Sequence, residues 1–326
     1  MLLLDVQSLV TEFPGESAAA GLHAVNNVSF SLDRGKVLGL VGESGSGKSV
    51  TGFSIMGLVD RPGRVTSGRI IFDGTDLRTL SPEAMRRLRG RRIAMVFQDP
   101  MMTLNPVLTI ATQMIESITA HESVGKGEAR RRARDALGQV GIPSPEERLN
   151  AYPHEFSGGM RQRVAIAIAL LHKPDLIIAD EPTTALDVTI QAQIISEFQQ
   201  LAENHNTAVI WITHDLAIVS RLADEIAVMY AGRLVETGPV ADILADPRHP
   251  YTAGLIGSVP SQNSRGTRLQ QIPGVTPSLD RLPSGCAFRT RCSRVRPDCA
   301  NLAPPKTSEA ARTFLCFHPL YRKVRV

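Results

Sequence analysis

The sequence predicts an α/β layered fold, in which helices cover a mainly parallel sheet. Residues 37–41, 176–179 and 208–212 are apolar throughout, and each segment has the length of one buried strand. Strands that are apolar on both faces are typical of parallel sheets covered by helices. A helical pattern over residues 190–202 separates the second of these strands from the third. This alternation of strand and helix is the basis of the fold prediction.

The composition is that of a globular protein with more than one structural part. The chain has 326 residues, of which 43% are hydrophobic and 21% charged, which excludes wholesale disorder, collagen and coiled coil. The longest unbroken apolar run covers residues 164–171, whereas a membrane-spanning helix needs about 20 residues. Residues 1–20 lack the pattern of a signal peptide, so we expect a cytosolic protein.

Two segments depart from the strand and helix alternation. Residues 99–170 predict a helical insertion, because residues 110–120 and 128–140 have amphipathic helical patterns. Beyond residue 246, repeated prolines predict an extended connector. Residues 281–326 carry a local charge of +8 and all four cysteines, which marks a distinct C-terminal module. We therefore expect a main domain over residues 1–250 and an extension over residues 251–326.

A phosphate-binding loop follows the first predicted strand. The motif G-x-x-x-x-G-K-[ST] places glycines where backbone N–H groups can surround phosphates. Lys48 would reach the β- and γ-phosphates of a nucleotide, Ser49 would bind Mg²⁺, and a helix beginning near Lys48 would add its positive end. The residues of the motif are Gly42, Glu43, Ser44, Gly45, Ser46, Gly47, Lys48 and Ser49.

Two acids end the predicted strand over residues 176–179. Asp180 and Glu181 would lie at the carboxyl edge of the sheet, where ligands bind in open α/β folds. Asp180 suits Mg²⁺ coordination, and Glu181 suits polarisation of an attacking water. Such acids alone are often structural, but a phosphate loop in the same chain favours the catalytic interpretation.

A third motif is Phe156-Ser157-Gly158-Gly159-Met160, in which Ser157 caps a predicted helix and the two glycines expose backbone N–H groups. Together these motifs resemble those of ABC transporter ATPases. The family signature is usually Leu-Ser-Gly-Gly-Gln, so the chain departs from it at its first and last positions. The resemblance covers residues 1 to about 255.

The resemblance implies an ABC nucleotide-binding domain: a RecA-like P-loop core with an antiparallel β subdomain, a helical subdomain at about residues 99–170, and a small irregular C-terminal extension. It also implies catalytic roles for Gln98 and His214 beside Glu181, with Mg²⁺ held by Ser49, Gln98 and Asp180. Asp187 matches the family's D-loop. Phe13 matches an aromatic that stacks on adenine, although a core position is the alternative. In the family's head-to-tail dimer the opposite subunit supplies three residues to each nucleotide, and these match Ser157, Gly158 and Gly159.

Further residues resemble the oligopeptide and dipeptide importer branch of that family, namely residues 152–163, 247–252 and 285–292. The resemblance implies ATP-driven peptide import at the cytoplasmic face of the inner membrane. It implies a second ATPase subunit in a heterodimer, two transmembrane permease subunits and a solute-binding protein as partners. Import of nickel or another small solute is an alternative. A soluble ABC protein without transport function is a more distant one, since such proteins commonly carry two cassettes or a long coiled coil, and neither pattern is present.

The four cysteines, Cys286, Cys292, Cys299 and Cys316, predict a metal site, because a cytosolic protein seldom forms disulfides. Four thiolates can hold Zn²⁺ or an iron–sulfur cluster, and zinc sites usually use a tight C-x2-4-C pair that this chain lacks. The resemblance implies a [4Fe–4S] cluster. We expect loss of Cys292 to unfold this module while leaving nucleotide binding largely intact.

An arginine cluster between residues 86 and 92 raises the question of nucleic-acid binding. No stacking aromatics interleave with these arginines, which favours a solvated protein face. We therefore expect no nucleic-acid partner.

Overall fold

A computed structural model describes residues 1–15, 21–184, 186–259 and 271–321. The chain divides into two compact units. Unit 1 contains Met1, Asp33–Lys36 and Thr79–Ile210, and unit 2 contains Leu2–Leu32, Val37–Arg78 and Trp211–Val326. The predicted division at residue 250 is a different boundary from this one and stays a prediction.

Strands are found where the apolar segments predicted them and at further places. In the part of the chain that the structure describes, they are β1 Leu2–Phe13, β2 Leu22–Asp33, β3 Val37–Val41, β4 Arg64–Phe72, β5 Thr75–Asp76, β6 Ile93–Val96, β7 Leu176–Asp180, β8 Ala208–Thr213, β9 Glu225–Tyr230, β10 Arg233–Pro239, β11 Lys306–Glu309 and β12 Arg312–Leu315. The three predicted strands are β3, β7 and β8, and their side chains are buried along their whole length.

Helices occupy much of the remaining described chain. They are α1 Lys48–Met56, α2 Pro82–Leu88, α3 Ile110–Thr119, α4 Lys126–Gln139, α5 Pro145–Arg148, α6 Gly158–Leu170, α7 Val188–His205, α8 Leu216–Leu222, α9 Val240–Ala245, α10 Pro250–Gly257 and α11 Asp298–Asn301. The predicted helices at 110–120, 128–140 and 190–202 correspond to α3, α4 and α7. Within the described ranges, no helix is long and apolar enough to cross a bilayer.

Unit 2 holds two sheets. One is the antiparallel subdomain implied by the resemblance, with strand order β2–β1–β4–β5 and β1 paired to β4 in the register Leu4↔Phe72. Both of these side chains are at most 1% exposed, so this register buries the apolar face of the pair. The other sheet includes β11, β12, β10, β9 and β3 as neighbours in this order, and β3 and β9 run parallel.

The C-terminal segment contains more regular structure than its prolines predicted. Pro250 begins α10 because proline fits the first turn of a helix, and the His249 side chain accepts a hydrogen bond from the Tyr251 N–H at 3.0 Å as its cap. Further along, β11 and β12 form an antiparallel pair, and β12 pairs with β10 through Glu236↔Phe314 and Thr237↔Thr313. The extension therefore completes a sheet that begins in the predicted main domain.

Unit 1 combines a parallel strand pair with the predicted helical insertion. β6 and β7 pair in parallel from Ile93↔Leu176 to Val96↔Ala179, and α6 packs on β6. α3 and α4 pack together, and their buried side chains include Met114, Ile118 and Leu137. On α2, two members of the arginine cluster are ion-paired with Glu83: Arg86 at 3.0 Å and Arg87 at 3.2 Å.

Candidate functional site

The phosphate loop of unit 2 lies between β3 and α1, as the sequence predicts, and its glycines are needed for close packing. Gly47 caps α1 with a φ of 104°, and a Cβ there would lie 2.2 Å from the carbonyl oxygen of Ala24. A Cβ on Gly42 would lie 2.2 Å from the carbonyl oxygen of Met229. Both approaches are closer than any side chain allows, so only glycine permits this course of the loop.

The loop combines features that favour an anion. Lys48 is 5% exposed, and its Nζ donates to the carbonyl oxygens of Gly42 at 2.8 Å and Glu43 at 2.9 Å. The helix α1 begins at this lysine and presents its positive end. The buried Ser46 Oγ has no hydrogen-bond partner among the residues that the structure describes. An ammonium group, a helix N-terminus and a hydroxyl in one loop fit a phosphate group.

The predicted acids and glutamine of unit 1 meet at one edge of the β6–β7 pair. Because Val96 is opposite Ala179, the residues two positions further on, Gln98 and Glu181, come together. Gln98 Nε2 lies 3.4 Å from Glu181 Oε2, which also accepts a hydrogen bond from Thr184 Oγ1 at 3.1 Å. Asp180 is 2% exposed at the end of β7.

Glu181 also has an unusual backbone. Its φ is 45°, in the left-handed region that residues other than glycine seldom adopt. Such conformations cost about 1–3 kcal/mol and cluster at functional sites, where the surrounding structure enforces them. This backbone is compatible with a functional role for the acid, although other described non-glycine residues such as Ala231 and Ala310 share the conformation.

The signature segment forms an open helix end in unit 1. Ser157 caps α6, and its Oγ accepts a hydrogen bond from the Met160 N–H at 3.3 Å. Ser157 and Gly158 are exposed, and a Cβ built on Gly158 would meet nothing within 4 Å. Gly159 is half-buried at the same end. The first turn of α6 is therefore an exposed helix N-terminus, which is a favourable place for an anionic group.

Three further predicted site residues lie on other elements of the fold. Asp187 caps α7, with Oδ1 accepting a hydrogen bond from the Ile190 N–H at 3.0 Å, and lies in unit 1. His214 is exposed directly after β8, and half-buried Phe13 ends β1; both lie in unit 2. A Cβ on Gly63 would come within 2.5 Å of the Phe13 ring, so that ring packs on a glycine backbone.

The four cysteines of unit 2 all carry free thiols. In three of them the sulfur accepts a backbone N–H from the residue two positions further on: Phe288 for Cys286, Arg294 for Cys292 and His318 for Cys316. Hydrogen bonds to sulfur of this kind tune metal–thiolate clusters. The fourth, Cys299, accepts the Cys286 N–H at its carbonyl oxygen at 2.9 Å, which draws the two segments together.

The positions of the thiols can be compared with the spacing that a zinc ion requires. A zinc ion with bonds of about 2.3 Å would hold its sulfurs about 3.8 Å apart. Among the described residues, the group of three candidate ligands within 4.8 Å of one another is Asp298, Cys299 and His318, and no set of three cysteines is that close. The pKa of Cys316 is raised to about 11, mainly by burial and with smaller contributions from the neighbouring thiols.

Comparison with known proteins identifies the family. The model of the ABC transporter family matches residues 25–184, and that of the oligopeptide/dipeptide transporter C-terminal region matches residues 235–299. The chain is 48% identical to the dipeptide transport ATP-binding protein DppD of Escherichia coli K12, over 98% of each chain. This chain belongs to the ABC transporter ATP-binding proteins. It is also 51% identical to the oligopeptide transport ATP-binding protein OppD of Bacillus subtilis, over 89% of this chain and 81% of OppD.

Solved ABC structures agree with this assignment. A dimeric structure of the ATP-binding cassette MJ0796 in a post-hydrolysis state, bound to ADP and Pi, has a TM-score of 0.67 and 26% identity. It covers 73% of this chain and 99% of its own. The predicted fold class, the resemblance to dipeptide and oligopeptide ATPases and the activity of an ATP hydrolase are thereby confirmed.

The sequence did not predict how this ABC ATPase supports its phosphate loop. Three residues beyond position 250 contact Glu43 of the loop: Tyr251, Thr276 and Arg291. No motif or spacing joins them to the loop, because Arg291 is 248 positions away. One signal of these contacts was present in the sequence. Glu43 is an acidic residue in a loop that otherwise contains small residues and Lys48.

Proposed function

We propose that this ABC ATPase powers the import of dipeptides or oligopeptides. The observation that supports this most directly is similarity to DppD and OppD that extends through the C-terminal region, beyond the cassette shared by other ABC proteins. Residues 1–250 would form the ATPase domain, with the helical subdomain at residues 99–170, and residues 251–326 the importer-type extension.

In the proposed nucleotide site, the loop of Gly42–Ser49 holds the phosphates of ATP. Lys48 balances the charge of the β- and γ-phosphates, and the backbone N–H groups of the loop donate to their oxygens. Ser49, Gln98 and Asp180 would hold Mg²⁺, which supplies charge neutralisation during phosphoryl transfer. Phe13 is the proposed adenine contact.

Hydrolysis needs a group that prepares the attacking water. Glu181 accepts a proton from, or polarises, this water, and Gln98 beside it holds the carboxylate in place through its amide. His214 donates a hydrogen bond to the γ-phosphate. The open end of α6, with Ser157, Gly158 and Gly159, completes the site of a second ATPase subunit, and Asp187 lies on the surface facing that subunit.

The proposed partners follow from this arrangement. A second, different ATPase subunit forms a heterodimer with this chain, and two transmembrane permease subunits dock on the helical subdomain. A solute-binding protein delivers the peptide from outside the membrane. The chain then lies at the cytoplasmic face of the inner membrane as a peripheral subunit, without nucleic acid.

The cysteines are proposed to hold a [4Fe–4S] cluster of structural function. The residues fit such a group, because three of the sulfurs accept backbone N–H bonds. The absence of three cysteine sulfurs within 4.8 Å of one another in the described chain disfavours a preformed zinc tetrahedron. Four thiolates leave no open iron position, so the cluster would join Cys286, Cys292, Cys299 and Cys316 rather than act on a substrate.

The substrate proposal is tested by uptake. Reconstituted transporter with its permease and binding protein should accumulate labelled dipeptide only with ATP, and Lys48→Ala should abolish accumulation. The same vesicles are offered labelled nickel. Uptake of nickel without uptake of peptide would favour the alternative importer class. Loss of growth on dipeptides as sole nitrogen source, on deletion of the gene, provides an independent check.

The cluster proposal is tested by analysis of anaerobically purified protein for iron, acid-labile sulfide, zinc and visible absorbance. Iron and sulfide in equal, stoichiometric amounts are expected. Stoichiometric zinc without sulfide would exclude the cluster, and the absence of any metal would exclude the site.

A further inference from the structure

Glu43 is held on both its main chain and its side chain by residues from the C-terminal part of unit 2. Arg291 donates from Nη1 to Glu43 Oε2 at 2.5 Å and from Nη2 to Oε1 at 2.8 Å. Thr276 Oγ1 donates to the same carboxylate, and the Glu43 N–H donates to Tyr251 Oη at 2.9 Å. We call these four residues the Glu43 clamp.

The ion pair of the clamp is well enclosed. The side chain of Arg291 is only 5% exposed and that of Glu43 is 27% exposed. Arg291 Nε also donates to the carbonyl oxygen of Pro273 at 2.9 Å, and its guanidinium lies 5.9 Å from the centre of the Tyr230 ring. The hydrogen bond from Arg291 is the main cause of the lowered pKa of Glu43. The two parallel hydrogen bonds from the planar guanidinium fix the orientation of the carboxylate and favour its ionised form.

Three buried aromatic rings form a cluster that includes Tyr251 of the Glu43 clamp. The ring of Phe288 lies 5.3 Å from the rings of both Tyr230 and Tyr251, and those two rings lie 4.7 Å apart. All three side chains are at most 4% exposed. The buried rings therefore hold both the Tyr251 hydroxyl and the segment that bears Arg291, which leaves little freedom to either contact.

Within the loop, Glu43 also accepts hydrogen bonds from two neighbouring residues. Its carbonyl oxygen accepts hydrogen bonds from Lys48 Nζ at 2.9 Å and from the Ser46 N–H at 3.2 Å. The N–H, the carbonyl oxygen and the carboxylate of Glu43 are thus all engaged. Displacement of this residue would move the ammonium group and the turn that are proposed to contact phosphate.

We infer that Arg291 is a positioning residue for the nucleotide site, acting through Glu43 to hold the phosphate loop in its binding conformation. The inference rests on the proposed function of the loop in binding ATP phosphates. The C-terminal segment would then contribute to nucleotide binding by the ATPase, in addition to any function it has in transport. A loop that is already ordered binds its ligand without the cost of ordering it, so the clamp acts on affinity for ATP.

The test compares full-length chains, alone and in the assembled transporter. Arg291→Gln should raise the dissociation constant and KM for MgATP about tenfold, with kcat changed less than about threefold, because it loosens the loop without touching the reacting atoms. Arg291→Lys should recover part of the affinity, because it restores the charge but not the two-pronged contact. Arg296→Gln, an exposed arginine of the same segment, is the matched control and should bind ATP as the parent does.

A double-mutant cycle makes the result specific to the pair. Glu43→Gln should weaken ATP binding, and Glu43→Gln with Arg291→Gln should be no weaker than the worse single variant. Circular dichroism melting establishes that each variant is folded. If folded Arg291→Gln and Glu43→Gln bind ATP with the parent's affinity, or if their effects simply add, the clamp has no positioning function.

Lys48→Ala separates this inference from the one on which it rests. If Lys48→Ala fails to weaken ATP binding, the proposed nucleotide site is wrong. If Lys48→Ala weakens binding and the clamp variants do not, only the positioning function is overturned.

Discussion

The side-chain amide of Gln98 donates to the carboxylate of Glu181 at 3.4 Å, although 83 positions separate the two residues. The contact follows from the register of β6 and β7, in which Val96 is opposite Ala179 and each chain leaves its strand at the same edge. Gln98 also stands directly before the predicted helical insertion at residues 99–170. The proposed catalytic acid is therefore in contact with the residue at which the proposed permease-binding subdomain begins.

Glu181→Gln should preserve ATP binding and lower turnover by at least about 100-fold, because the amide cannot accept the proton of the attacking water. The measurements are the ATPase rate and the number of nucleotides retained by the assembled transporter. Glu147→Gln, an exposed glutamate of unit 1, is the control and should leave both unchanged. Turnover at the parent's rate in Glu181→Gln would remove this residue from the chemistry.

Ser157→Arg should damage the nucleotide site of the partner ATPase, because it places a long cation at the open end of α6. In the assembled transporter, Lys48→Ala or Ser157→Arg alone should leave one nucleotide bound, and the double variant should leave none. Ser157→Thr, which keeps a capping hydroxyl, is the control. A double variant that binds as much nucleotide as the worse single variant would place both residues in one site and contradict the shared arrangement.

Cys292→Ser is expected to reduce iron content and, contrary to the expectation from sequence, to weaken ATP binding. The structure changes that expectation because Cys292 follows Arg291, whose guanidinium pairs with Glu43. Iron analysis and MgATP titration of the full chain measure the two effects, with Ser293→Ala as the neighbouring control. Loss of iron with ATP affinity unchanged would show that the clamp does not depend on the metal site.

Glu122→Gln should lower stability in a pH-dependent way. Arg132 binds Glu122 through Nη1 at 2.6 Å, and hydrogen bonds from Arg132 are the main cause that lowers the pKa of Glu122 to about 2, with His172 contributing. A lowered carboxyl pKa stabilises the fold above the unfolded value of 4.5, and this contribution is lost as the pH falls toward 2.

The difference in unfolding free energy between the parent chain and Glu122→Gln should therefore be constant above about pH 6 and shrink from pH 4.5 downward. Urea unfolding at a series of pH values measures it, and Glu147→Gln is again the control. A difference that stays constant or grows on acidification would show that the charge of Glu122 is not what stabilises this corner.

The sequence predicted those parts of the molecule that depend on local pattern. The apolar segments 37–41, 176–179 and 208–212 form most of β3, β7 and β8, and Glu181 and His214 follow closely after the last two. The loop before α1 was predicted because the motif is contiguous. In each case neighbouring residues carry the whole signal.

Features that depend on distant pairing were not predicted. β11 and β12 have only four residues each, and most of these residues are polar. Their sequences therefore resemble those of loops. The Glu43 clamp joins a buried arginine to an acid that any surface loop could carry. Its specificity arises from tertiary packing around Tyr230, Tyr251 and Phe288, which no local pattern contains.

The pairing of β12 with β10 bears on how truncated chains would behave. Thr237 Oγ1 and Thr313 Oγ1 lie 2.7 Å apart across this pair, and Glu236 is opposite Phe314. A chain cut before β11 would leave the outer N–H and C=O groups of β10 without their partners. It would also expose the position on β10 that lies opposite Phe314. Exposed strand edges of this kind recruit other chains, so such a fragment should aggregate. Low activity in a fragment would then report insolubility and would not measure what the extension contributes to transport.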